Sequence, residues 1–383
     1  MIEVALLIVI LMFKFGRDLS GLSYDWLDRA LIGLESRMRM VGWTLLLSLL
    51  LIALATVYAR IAVECTYLGR HYAALAENPF ALGSSNPVSY RILTPLISYL
   101  IGLRGQGIII TNLLISVVMV ACVYMYFRKT APRPGDAFLM STVITFSLVV
   151  LTSIHCGGYC DIMSYLLIFL MWWFRKHRTL FYLMFLAGLL NRESVLFLLP
   201  WFIVISLDSD RPWYLRIVEM IFGFGITILV YYLFRQWVTS GAEIKYSLSY
   251  YLEPFVTNPL QRLKRTVYYH SLGLFSVYKV LWVFPCVAAL SWWRNRKYAS
   301  LANVLILLLC AWAQLFLAID TSRMFTLGFM VMIVAVDDLL KTDFMHFRRW
   351  AFWAVLFNLM IPQVYTAGKV VEVWQTLTTH ISL

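Results

Sequence analysis

Apolar runs long enough to cross a bilayer recur along the whole of this chain, and most are bounded by short clusters of Lys and Arg. A hydrocarbon core about 30 Å thick needs about 20 apolar residues per helix, and its backbone groups must satisfy one another. The runs do not alternate in polarity as barrel strands do, so the fold they dictate is a bundle of helices. With 61% hydrophobic and 14% charged residues over 383 positions, little sequence is left for a soluble domain. The net charge of +12 sits mainly in short loops, where it sets topology and meets anionic headgroups. That distribution argues against a nucleic-acid partner.

Residues 1–40 read as an anchor or partial span followed by a cytoplasmic surface helix, in which Leu22, Trp26, Ala30, Leu34 and Met38 recur at helical spacing. The start carries Glu3, no basic region and no small-residue cleavage site, which makes a poor signal peptide. Residues 41–383 read as one polytopic domain. Spans are expected at Val41–Val63, Ile108–Phe127, Phe138–Ile154, Ile162–Phe174, Ile217–Phe234, Leu274–Trp293, Leu301–Ile319, Met324–Leu340 and Trp350–Val364. A short surface or re-entrant helix is expected at Ile92–Leu103. With two short pieces inside Leu180–Leu207, this predicts an all-α membrane bundle of about eleven crossings, with broken helices and amphipathic helices on its outer face.

Leu180–Leu207 decides the topology. As one helix it would put the basic loops Arg294–Lys297 and Lys341–Arg349 outside. As two short helices turning at Asn191-Arg192-Glu193 it keeps every strongly basic short loop inside, so the positive-inside rule favours the hairpin. Arg192 and Glu193 then lie between two apolar runs, where each charge costs roughly 2.5–3.5 kcal/mol at membrane depth, so each needs a partner or water. Being adjacent, they point different ways and need separate partners.

This topology gathers Glu64, His71, Glu77, Tyr90, Arg91, His155, Asp161, Arg192, Glu193, Asp320 and Arg323 on the outer face, and mainly topological Lys and Arg on the inner face. Carboxylates and arginines converging within a membrane make a site for an anionic or polyhydroxylated substrate. Plainer roles stand beside that one. Asp161 follows Gly157-Gly158 and also suits a helix N-cap; Asp320 and Arg323 also suit an ion pair at a helix start. His155, Cys156, Cys160 and Asp161 match no standard zinc spacing, and a Cys156–Cys160 disulfide is an alternative. Cys122, Cys286 and Cys310 lie in apolar runs and suit packing. In Asn258–His270, Leu260, Leu263 and Val267 recur at helical spacing, with Arg262, Lys264, Arg265 and His270 on other faces, as in an interfacial helix whose cations hold a lipid phosphate.

Four motifs carry a resemblance: Asn86-Pro87-Val88-Ser89-Tyr90-Arg91-Ile92-Leu93-Thr94-Pro95, Gly157-Gly158-Tyr159-Cys160-Asp161, Asn191-Arg192-Glu193-Ser194 leading to Pro200, and Asp320 to Arg323 opening a later span. Through them the chain resembles the membrane-integral glycosyltransferases of the GT-C fold, in particular bacterial members with many spans and no soluble domain. The resemblance implies a bacterial inner-membrane enzyme that takes a sugar from a polyprenyl phosphate or pyrophosphate on the periplasmic face. A glycan, lipid or protein accepts it, with no cofactor. The usual base in such enzymes is an Asp of the first outer loop, but here no Asp occurs between Asp28 and Asp136. Glu77 or Glu64, Asp161 and Glu193 are therefore the candidate bases. Tyr90, Arg91, His155, Arg192, Arg262, Lys264, Arg265, His270, Asp320 and Arg323 are the candidate substrate ligands. No metal site is expected, since the one Asp-x-Asp, Asp208-Ser209-Asp210, falls on the inner side. The competing expectations are a transporter or lipid flippase, an outer-face polysaccharide polymerase, and an acyltransferase built on His155.

Overall fold

The computed structural model describes residues 24–59, 61–80, 88–131, 133–207, 212–239, 271–316, 321–342, 344–366 and 370–372. Its helices are α1 (24–37), α2 (Met40–Tyr58), α3 (Leu68–Glu77), α4 (Leu93–Leu100), α5 (Ile108–Thr130), α6 (Pro134–Thr145), α7 (Leu148–His155) and α8 (Asp161–Trp173). They continue as α9 (Arg178–Asn191), α10 (Leu199–Ser206), α11 (Trp213–Thr239), α12 (Ser271–Arg294), α13 (Tyr298–Ala313), α14 (Thr321–Thr326), α15 (Met330–Thr342) and α16 (Phe347–Met360). The expected all-α architecture is observed, with one addition: β1 (Val364–Thr366) and β2 (Val370–Glu372) pair antiparallel, Tyr365 opposite Val371.

Among the described residues, four helical stretches are long and apolar enough to cross a membrane: Met40–Tyr58, Gly105–Thr130, Tyr214–Thr239 and Ser271–Arg294. α6 and α7, bent by 43°, together make a fifth. The bend falls where Ser147 takes an extended conformation and its hydroxyl caps Val149 N. The remaining runs of the expected eleven crossings form shorter helices. α8 has 13 residues, or about 20 Å at 1.5 Å per residue. The Met324–Leu340 run is divided by the 3-10 turn Leu327–Phe329.

Within Leu180–Leu207 the chain does turn back. α9 ends where Arg192 becomes extended, φ −163°, and a 3-10 turn over Glu193–Leu198 leads into α10, whose Pro200 lies in the first turn. Proline is tolerated there because the first-turn N–H groups have no intrahelical acceptor. Phe181 and Phe185 of α9 pack edge-on against Phe202 of α10, and at the open end Arg178 Nη2 donates to Ser206 O at 2.5 Å. The tip of this hairpin carries Arg192 and Glu193.

One apolar cluster runs from α1 to β1 and is densest in α6, α7, α8 and α15. Between helices surrounded by lipid, close packing supplies the cohesion that water exclusion supplies in soluble cores. α11 is mostly uncovered: Ile221, Phe222, Ile226, Leu229 and Leu233 are exposed apolar residues. In α1 the expected stripe faces away from the bundle, with Trp26 and Leu34 exposed. The docked side is instead Tyr24, Leu27 and Leu31.

Candidate functional site

Three glycines bring two loops into backbone contact and so fix the start of α8. A Cβ at Gly69 would lie 2.0 Å from Gly157 O, and one at Gly157 would lie 2.1 Å from Glu64 O. Gly158 has φ +81°, in the left-handed region that glycine favours. Ala62 N donates to Ile154 O at 2.9 Å and Thr66 N to Gly157 O at 3.2 Å, which ties the segment after α2 to the loop before α8. Asn112 Nδ2 of α5 donates to Tyr159 O at 2.9 Å. Asp161 thereby enters the bundle in the first turn of α8, where the helix dipole favours an acid.

Asn191 joins that turn to the hairpin tip. Its Nδ2 donates to Cys160 O at 2.9 Å and to Ser164 Oγ at 2.8 Å, and its Oδ1 accepts from Thr94 Oγ1 at 2.6 Å. Arg192, next in the chain, ion-pairs with Asp161. Arg323 of α14 reaches the same carboxylate, Nε to Oδ2 at 3.5 Å, while its guanidinium stacks 4.6 Å over the Tyr159 ring. The three charged side chains are 3%, 7% and 9% exposed for Arg192, Asp161 and Arg323. Among the described residues, one carboxylate thus faces two buried guanidinium groups. Arg192 Nε is buried with no hydrogen-bond partner among the described residues.

Glu193 turns the other way and takes different partners. Arg91 Nε donates to its Oε2 at 2.8 Å, Arg91 Nη2 pairs with its Oε1, and Tyr90 OH donates to Oε1 at 3.3 Å. Arg91 Nη1 also donates to Tyr72 OH of α3 at 3.0 Å. Arg235 of α11 lies 4.6 Å over the Tyr90 ring. Burial opposes the charge on Arg91, but Glu193 beside it outweighs burial and raises the guanidinium well above its ordinary value. Burial, with Glu193 adding to it, pushes the Tyr90 phenol up to about 12, so it remains a donor. This second group sets Arg91, with Arg235 nearby, against one carboxylate, and the Glu193 side chain is 28% exposed.

Of the residues singled out from sequence, Tyr90, Arg91, Asp161, Arg192, Glu193 and Arg323 come together here. Glu77 does not: it is exposed at the end of α3, five residues past Tyr72 or about 7.5 Å along the axis. Its carboxylate lies against Gly105, where a Cβ would be 2.8 Å from Oε2. The acids beside the arginines are Asp161 and Glu193, and Glu77 lies apart from them. Glu64 is likewise exposed and offers its main-chain oxygen to the glycine contact. His155 closes α7, half-buried, on the other side of the Gly157-Gly158 loop from Asp161. Arg262, Lys264, Arg265, His270 and Asp320 lie outside the described residues, as do Asp208-Ser209-Asp210 and residues 1–23. Cys156 and Cys160 are free thiols, like the other four cysteines, so the alternative disulfide is absent. No three His, Cys, Asp or Glu side chains converge among the described residues.

Sequence reasoning missed Asn191, Tyr72, Tyr159 and Arg235. Asn191 was visible as an amide closing an apolar run, the kind of residue that membrane packing retains for its hydrogen bonds. The others are an aromatic or arginine among many, and only the fold selects them. Compared with known proteins, the chain matches no family model, no curated protein and no solved structure.

Proposed function

We propose that the chain is an integral-membrane glycosyltransferase that takes a sugar from a polyprenyl phosphate or pyrophosphate and passes it to a hydroxyl acceptor. The single observation that carries this is Arg192 Nε, buried with no hydrogen-bond partner among the described residues, beside a carboxylate that Arg192 shares with Arg323. A buried guanidinium edge left without an acceptor is costly, and an anion that meets it removes the cost. A phosphate offers the fork-shaped acceptor that guanidinium edges fit. The helices long enough to cross a membrane provide lipid-facing surface for an isoprenoid chain. The bundle of about eleven crossings, set in a bacterial inner membrane with this end facing the periplasm, belongs to the same proposal and follows from the positive-inside assignment.

Glu193 is the better base of the two acids. Asp161 is held by two buried arginines, whereas Glu193 is more exposed and shares one arginine that an arriving phosphate draws toward itself. The acceptor oxygen bonds to the anomeric carbon while the bond from that carbon to the phosphate oxygen breaks. The electron pair leaves on the phosphate, against Arg192 and Arg323, and the hydroxyl proton passes to Glu193. Displacement in one step inverts the anomeric centre, as with inverting glycosidases.

The test is binding of farnesyl phosphate to the full chain in lipid nanodiscs. Wild type is expected to bind it, and Arg192→Gln to bind at least tenfold more weakly, since a hydrogen bond to a charged group contributes about 1.5–3 kcal/mol. No binding by wild type, or equal binding by the variant, removes the proposal.

A further inference from the structure

α11 turns one narrow stripe toward the bundle. Phe224, Thr227, Tyr231 and Val238 are buried along it at helical spacing, while much of the rest of the helix is exposed apolar surface. Arg235 falls on the same stripe, one turn past Tyr231, and is half-buried. Within a span a cation is costly and calls for a partner. Among the described residues Arg235 makes no ion pair and no side-chain hydrogen bond; its contact is the Tyr90 ring, 4.6 Å from the guanidinium carbon.

Tyr231 is in the same condition. Its side chain is 6% exposed, and its hydroxyl is buried with no hydrogen-bond partner among the described residues. A phenol so placed has lost its hydrogen bonds to water and still has a proton to donate. It lies within electrostatic reach of Arg235, Tyr90, Arg91 and Glu193.

Donors outnumber acceptors around this point. Glu193 is the carboxylate there, and Arg91 occupies it through Nε at 2.8 Å and through Nη2, with Tyr90 OH on Oε1 at 3.3 Å. Arg91 Nη1 is taken up by Tyr72 OH at 3.0 Å. The Arg235 guanidinium and the Tyr231 hydroxyl are left as donors without acceptors, and two arginines stand against one acid. A guanidinium fork with a phenol O–H one turn away fits an anion that offers several oxygens, a phosphate or a carboxylate. A neutral hydroxylated group would use the phenol and leave Arg235 without a counterion.

We infer that Arg235 and Tyr231 form a second anion subsite beside Glu193, so that the substrates bring two anionic groups to this end of the bundle. This rests on the transferase proposed above, in which Arg192 meets the carrier's phosphate. Arg192 and Glu193 leave adjacent positions toward different partners, so the two subsites lie on either side of the bond between them. The second anion is either the second phosphate of a carrier diphosphate or an acid group on the acceptor.

Equilibrium binding to the full chain in nanodiscs tests this with two matched pairs, farnesyl diphosphate against farnesyl phosphate and methyl glucuronide against methyl glucoside. Wild type is expected to favour the more anionic member of at least one pair by about tenfold, as a hydrogen bond to a charged group provides. A preference in the first pair assigns the subsite to the carrier, and one in the second pair assigns it to the acceptor. In either case Arg235→Gln and Tyr231→Phe each reduce the preference to within about twofold and leave farnesyl phosphate at its wild-type affinity. Arg192→Gln does the opposite, weakening farnesyl phosphate and keeping the preference. No preference in either pair, a preference that survives both variants, or variants that weaken both members of a pair equally overturns the subsite. The two variants alter different side chains, so if one does not fold the other decides. A glucuronide preference that depends on Arg235, in a protein that binds neither farnesyl ligand, leaves the subsite standing and removes the transferase.

Discussion

Two polar clusters sit at opposite ends of α5, and they balance their charges differently. At one end Asn112 holds the loop before Asp161; Arg128, sixteen residues on or about 24 Å along the helix, belongs to the other. At the Arg128 end three arginines each pair with a separate acid. Arg128 takes Glu35 through Nε at 2.9 Å and Nη2 at 3.0 Å, Arg348 Nε takes Asp136 at 3.2 Å, and Arg133 takes Asp25. Tyr24 donates to Asp136, Tyr124 to Glu35 at 2.6 Å, and Asp28 accepts from Gly135 N at 2.9 Å. These bonds fasten α1 to the ends of α5, α6 and α16. At the site end one acid answers two arginines. The difference is that Arg192 and Arg323 share one acid, and that Arg192 Nε has no hydrogen-bond partner among the described residues.

The largest expected effect tests that difference directly. Asp161→Asn removes the acid that Arg192 and Arg323 share, and breaking a buried pair costs about 3–5 kcal/mol. The variant is expected to melt well below wild type in nanodiscs and to lose transfer activity altogether. Asp136→Asn, at a residue that is 0% exposed, is expected to lower the melting point as well but to leave activity per folded molecule intact. If Asp136→Asn removes activity as completely as Asp161→Asn, the two clusters are not different in kind.

The arginine variants are expected to separate in the opposite direction. Arg192→Gln leaves Arg323 paired with Asp161, so its melting point is expected to fall by less than that of Arg348→Gln, which leaves Asp136 with Tyr24 as its remaining fastening. Binding is expected to reverse the order, with farnesyl phosphate lost in Arg192→Gln and retained in Arg348→Gln. Thermal melts and binding isotherms on the same four preparations check both halves.

How far all this was legible in the sequence depends on the kind of constraint. Apolar run length and basic loops are local signals, and they located α2, α5, α11 and α12 within a few residues. The cost of burying a charge is equally local, and it marked Arg192 and Glu193 as needing partners. Which partners they take is set by loops that meet only through glycine contacts, at Gly69, Gly157 and Gly158, and no periodicity encodes such a meeting. Glu77 stands out in the sequence as an acid of the polar segment after the first span. Its helix presents Tyr72 to Arg91 and ends with Glu77 elsewhere. The stripe in α1 was read correctly as helical, while the docked side was set by Asp28, Glu35 and Tyr24 finding partners far along the chain.

The glycines carry the comparison to smaller energies. Gly157→Ala puts a methyl against Glu64 O with no room to spare, and overpacking of this kind costs about 1–3 kcal/mol. Because the contact fixes Asp161, the loss is expected to reach activity as well as stability. Gly33→Ala in α1 meets nothing within 4 Å. There alanine is expected to stabilise the helix by about 0.5–1 kcal/mol, without effect on binding. Differential melting of the two variants reads both signs.

The smallest effect is expected at Asp25. Its pair with Arg133 is open at 3.5 Å, with side chains 63% and 47% exposed. Exposed pairs contribute about 0–1 kcal/mol and are screened over a Debye length of about 8 Å at physiological salt. Asp25→Asn is therefore expected to shift the melting point by a degree or two at most, and the shift is expected to vanish in high salt. The buried bonds from Tyr24 and Arg348 to Asp136 are shielded from salt, so they hold α1 in place whether or not Asp25 is charged. If Asp25→Asn instead released α1, detected as new protease sensitivity within 24–37, the helix would be held by its rim charges. The closed cluster at this end would then not be what fastens it.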